Sequence, residues 1–163
     1  MIAAVTVGIV AFVWLPSSRE FETGIQVSIA NTIVQDQEKL AQEGYLSPEG
    51  SVVVRIKPGV SSFEPETWID APYTSIWKYE KGILKPASPA DFEQVKKDRN
   101  AYIFVFLIQK IEGNQASVDV ATYYPTSNTP GFSNSGGEAS HCVFEYIDQN
   151  WYELNVDTYA NWD

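Results

Sequence analysis

The chain reads as an α+β domain in which one long amphipathic helix packs on a curved antiparallel sheet. Three observations predict this. Apolar residues recur at helical spacing over residues 20–43. From Val52 onward the pattern changes to the period of two that belongs to strands. Aromatic residues make up 13% of the chain and concentrate in the strand-like segments, which suits a packed sheet better than a helical bundle.

The helix has a plausible frame at both ends. Ser17-x-x-Glu20 has capping-box spacing, and Gly44 stands where a left-handed cap ends a helix. Ile25, Ile29, Ile33 and Leu40 form its apolar stripe, flanked by Ala30, Val34 and Ala41. Gln35, Asp36, Gln37, Glu38, Lys39 and Gln42 supply the wet face. Val52, Val54 and Ile56 then alternate with Val53, Arg55 and Lys57 as a strand that Pro58-Gly59 stops. Residues 60–73 read as loop. A short hairpin turns at Lys81-Gly82, between residues 75–79 and 83–84. Ser88-Pro89 opens a second helix, with Ser as cap and Pro at the first helical position. Phe92 and Val95 are its inner contacts, and it ends near Asn100.

The remainder is a meander. Residues 102–111 have no polar alternation before Gln109, which predicts a central strand covered on both faces. Glu112-Gly113-Asn114 turns the chain into a strand over residues 115–124. A Pro, Ser, Asn and Gly loop fills 125–139; loops of that length often bind ligands, though plain flexibility is the commoner reading. Residues 140–147 and 151–156 form the last hairpin, around Asp148-Gln149-Asn150.

At 163 residues the chain suits one domain and can bury roughly 70% of its unfolded surface. The net charge of −10 argues against nucleic acid, which needs a basic patch. Here Lys96, Lys97 and Arg99 are the only basic cluster. The single cysteine, Cys142, excludes an intrachain disulfide and a zinc-finger set. It falls on the apolar face of a strand and reads as a small buried hydrophobe.

Residues 1–15 carry no charged side chain. The run is short of the ~20 residues that span a bilayer and fits the length of a secretory apolar region. Three readings compete: a membrane anchor or uncleaved signal, a cleaved signal, and a core segment. The anchor leads, giving residues 1–19 as the tether and 20–163 as one domain on the extracytoplasmic side, periplasmic or cell-surface. No basic residue precedes the run, which points to a start upstream of Met1.

The order helix, strand, hairpin, helix, four-stranded meander resembles the cystatin-like or NTF2-like superfamily over residues 20–156. That resemblance implies a cone whose mouth is the pocket. It does not select a function, because such folds carry enzymes, binding modules and membrane-tethered assembly subunits.

His141 is the only histidine and so the only general base by ordinary proton affinity. A three-residue turn at 148–150 places it beside Asp157, and Glu145 beside Glu153. His141 with Asp157 is therefore the candidate catalytic pair, set against a plain surface histidine. Glu145, Glu153 and Asp119 can share one face as oxygen ligands for Ca²⁺, but EF-hand spacing is absent and a solvated face explains them. No metal or cofactor is expected, and loop 125–139 lacks the glycine patterns that cradle phosphate. Tyr102, Phe104, Phe106, Tyr124, Phe144, Tyr146 and Trp151 are candidate pocket aromatics, or core. Trp68, Trp77 and Trp162 hint at a binding surface. The leading expectation is a tethered domain binding a partner protein or small ligand. The alternatives are an enzyme using His141 and Asp157, and a subunit of a membrane-tethered assembly.

Overall fold

The computed structural model describes residues 18–98, 101–125, 136–148 and 150–162. Residues 1–15 and most of the 125–139 loop lie outside that set, and with them the anchor and the glycine-rich loop. Among the described residues no helix is long and apolar enough to cross a membrane.

Helix α1 spans Ser18–Gln42. Its C-terminus closes with two bonds, Tyr45 N–H to Leu40 C=O at 3.2 Å and Gly44 N–H to Ala41 C=O at 3.2 Å. Gly44 has φ of +104°, so this is the glycine cap that the sequence predicts. Seven strands follow: β1 Val52–Ile56, β2 Tyr73–Glu80, β3 Ile83–Pro86, β4 Ile103–Glu112, β5 Gln115–Tyr123, β6 Gly137–Ile147 and β7 Asn150–Trp162. Helix α2, Pro89–Asp98, lies between β3 and β4. Its Ser88 cap is reciprocal: Ser88 Oγ accepts the Asp91 N–H and the Asp91 carboxylate accepts the Ser88 N–H.

The strands form one curved, unclosed sheet in the order β3-β2-β1-β4-β5-β6-β7. Every neighbouring pair is antiparallel except β1–β4. The β2–β3 hairpin and α2 intervene there and return the chain in its original direction. The sheet is thus mostly antiparallel, where a purely antiparallel one was expected.

Alternation on these strands builds two cores. Toward α1, Ile25, Ile29 and Ile33 pack on Val53, Phe104, Phe106, Val118 and Phe144. Each such side chain contributes about 1.5–3 kcal/mol on full burial. On the opposite face, Phe92 and Val95 of α2 pack with Val52, Val54, Ile103, Val105 and Ala121. Strand β4 is accordingly buried on both sides along Ile103–Leu107, as its unbroken apolar run predicts.

Three local expectations need correction. Leu40 is exposed, although it continues the apolar stripe. Gln37, placed on the wet face, is buried instead, because its amide donates to Leu46 C=O at 3.2 Å and to Tyr102 Oη at 3.1 Å. The 60–73 loop contains a 3-10 helix, Pro65–Asp70, that inserts Trp68 into the second core.

Candidate functional site

The second sheet face changes character along β5 and β6. Val105, Ala121, Ala139 and Ala160 form one cross-strand row, and Ile103, Tyr123, Gly137 and Trp162 form another. Two residues along β4, β5 and β6 from the alanine row, and three along β7 across a bulge, the same face carries Leu107, Asp119, His141 and Asp157. Ser117 lies beyond, opposite Lys110 of β4 and Val143 of β6.

In that polar stretch the side chains are linked. Asp119 Oδ1 lies 2.6 Å from His141 Nδ1, and Asp119 Oδ2 accepts the Gln109 amide at 2.7 Å. His141 Nε2 lies 3.2 Å from Ser117 Oγ. The Asp119 side chain is 6% exposed and the His141 side chain 39%. A buried carboxylate is costly unless its oxygens are hydrogen-bonded, and here both are. An ionised carboxylate only accepts, so Nδ1 carries the proton and, in the neutral ring, Nε2 presents its lone pair to the Ser117 hydroxyl.

A break in the ladder puts Gln109 in reach. Ile108 pairs with Val118 and Lys110 with Ser117, so Gln109 is an extra residue in a β-bulge. Such bulges re-aim side chains. The neighbouring Lys110 is paired with Glu112 at 2.5 Å.

Over this floor stands a cavity of about 420 Å³, lined by Ser62, Phe63, Gln109, Asp119, His141 and Tyr159. Phe63 is 90% exposed. Tyr159 donates its hydroxyl to Ser62 C=O at 3.2 Å. Burial, with the Asp119 charge as a smaller cause, pushes the Tyr159 phenol up to about 12. The loop carrying Phe63 is fixed from below: Trp68 Nε1 donates to Ser61 C=O at 2.5 Å. Tyr123 Oη donates to Pro65 C=O and accepts the Ile69 N–H at 3.0 Å.

The candidate catalytic pair takes different partners. His141 and Asp157 are register partners, but the His141 ring contacts Asp119 on the other neighbouring strand. The route to that register also differs. Ile147 pairs with Asn150, so the turn has two residues rather than three, and a bulge between Val143 and Phe144 restores the offset. Near the turn the expectation fails. Glu145 faces Tyr152 and Glu153 faces Phe144, so Glu153 belongs to the α1 side while Asp119 lies on the other. The three carboxylates do not converge, and among the described residues no cluster of metal-ligating side chains forms.

The pocket aromatics lie on the α1 side. Tyr102, Phe104, Phe106, Phe144 and Trp151 are buried in the core beneath α1, and Tyr146 packs against it. Tyr124 is 40% exposed, edge-on to Tyr102. Trp151 also borders a polar groove of about 580 Å³ between α1 and β7, with Asn31, Gln35, Asp36 and Glu153. The tryptophans taken as a surface hint are otherwise employed. Trp68 and Trp77 are buried, and Trp162 packs on Tyr123. Cys142 is buried under α1, and burial raises its thiol to about 12.

Ser117, Gln109, Phe63 and Tyr159 escaped the sequence reading. One signal was available: Asp119 is flanked by Val118 and Val120 in an apolar strand, and a carboxylate there needs partners. No family model, curated protein or solved structure matches the chain.

Proposed function

We propose that this is a membrane-anchored extracytoplasmic domain that binds a small aromatic ligand over His141. The observation that carries the reading is the cavity of about 420 Å³ with aromatic walls, Phe63 and Tyr159, and a polar floor of Gln109, Asp119 and His141. Apolar walls with a few convergent polar groups are the usual form of a small-molecule site. Phe63 keeps nearly its whole ring in water, and a second ring placed against it recovers apolar contact. His141 is partly exposed and fixed by Asp119, so its Nε2 offers a directed acceptor for a ligand hydroxyl.

The anchor rests on the uncharged run of residues 1–15. Kinship with the NTF2-like or cystatin-like cones is part of the same proposal; its support is α1 lying against one face of a curved, mostly antiparallel sheet.

The test is an NMR titration of the folded domain with phenol, observing the imidazole of the single histidine. A saturable shift of His141 that Phe63→Ala weakens by about tenfold or more supports the site. Shifts that grow linearly with phenol and ignore Phe63 would sink it.

A further inference from the structure

The geometry points to a second capacity beside this cavity, which rests on the binding reading above: we infer that Ser117, joined to the cavity floor through His141, is a nucleophile that cleaves small aryl esters whose ring sits between Phe63 and Tyr159. Three groups stand in the order such chemistry requires. Ser117 Oγ is 3.2 Å from His141 Nε2, His141 Nδ1 is 2.6 Å from Asp119 Oδ1, and Gln109 holds the other carboxylate oxygen at 2.7 Å. Ser117 and Asp119 are two apart on β5 and so share a face, and His141 is opposite Asp119 on β6. The charged and titratable groups around the imidazole are Asp119, its register neighbour Asp157, and Tyr159 across the cavity; Lys110, beside Ser117, is paired with Glu112.

The step balances with water as co-reactant. The Ser117 hydroxyl proton passes to His141 Nε2 as Oγ bonds the ester carbonyl carbon. The bond from that carbon to the phenol oxygen then breaks, and the imidazolium returns its proton to the departing phenolate. Water, deprotonated by the same nitrogen, attacks the acyl carbon; the bond from that carbon to Ser117 Oγ breaks, Oγ takes the proton back from the imidazolium, and the carboxylic acid leaves. Asp119 and Gln109 are positioning residues throughout.

The substrate class follows from what surrounds Ser117. Ser117 lies mid-strand between β4 and β6, rather than at a helix N-terminus where free backbone N–H groups gather as oxyanion donors. One oxyanion donor is worth roughly 10²–10³ in rate. Only esters with a good leaving group, such as aryl acetates, react readily without that help.

The experiment is incubation with p-nitrophenyl acetate, followed by release of nitrophenolate and by peptide mass mapping, with the phenol titration run in parallel. The expected result is an acetyl group on Ser117. Ser117→Ala and His141→Ala should each lower turnover by about 10²-fold or more, while the wild type shows the saturable phenol-induced His141 shift in the parallel titration. Saturable phenol binding without acetyl-Ser117 overturns the nucleophile and leaves the cavity standing. Neither binding nor acylation overturns both. Turnover that survives Ser117→Ala assigns the chemistry to other side chains and overturns the inference.

Discussion

At the Tyr123–Gly137 end of β5 and β6, the second sheet face is closed under the 3-10 helix; two residues past the alanine row it carries a buried carboxylate and a half-exposed histidine. The strands and the face are the same. What differs is the cover. Trp68, with Tyr123 and Trp162, seals the first end with apolar atoms, whereas the second meets Ser62, Phe63 and Tyr159 across open space. A sheet face therefore becomes a site where its lid stops, and the lid's last anchored residue fixes the wall of the cavity.

The strongest way to break this contrast is to remove that anchor. Trp68 is 1% exposed and holds Ser61 through its indole N–H. Trp68→Ala is expected to cost about 3–5 kcal/mol of stability, measured by urea unfolding. Trp68→Phe keeps most of the apolar fill and loses the bond to Ser61, so it should weaken phenol binding more than it lowers the unfolding midpoint. If it leaves phenol binding unchanged, the packed end does not position the cavity.

The second test acts on the polar end. Asp119→Asn keeps shape but replaces an acceptor-only group that now meets two donors, His141 Nδ1–H and the Gln109 amide. One donor then faces a donor. The expected loss is about 1–3 kcal/mol, with the imidazole shifts of His141 displaced even without ligand. A stability change below about 0.5 kcal/mol with an unmoved His141 would mean that the network holds nothing in place.

The elements were legible because their signals are local. Ser88-Pro89 and Gly44 act through bonds to their own helix, and the unbroken run before Gln109 states its own burial. The site was less legible because it depends on register. His141 meets Asp119 only through the β5–β6 pairing, which the intervening loop leaves unspecified in the sequence. The His141–Asp157 register came out as expected because a shorter turn and a bulge offset each other, and that cancellation is invisible in residue spacing. Phe63 and Tyr159 approach the site from elements 97 residues apart in contact at Ser62 and Tyr159, beyond any local pattern.

The smallest expected effect compares Asp119 with the carboxylate turned to the other face. Glu153 lies beside α1; burial raises its carboxyl above the ordinary 4.5, the nearby Asp36 charge raises it further, and Lys39 offsets part of this. The fold therefore favours the protonated form more than the unfolded chain does. Its favourable contribution is fully present below the ordinary value and is lost as the pH rises through the raised one. Once the pH has passed the raised value the fold holds Glu153 against its charge, so Glu153→Gln should stabilise the domain there. The site is partly open to solvent, which keeps the gain below about 1 kcal/mol. Thermal unfolding across pH is the check. The gain should shrink toward zero below pH 4.5, where wild type and variant are both neutral at this position. A gain that persists unchanged into acid would come from packing against α1 rather than from charge, and would remove the contrast between a carboxylate held by two donors and one held against its charge.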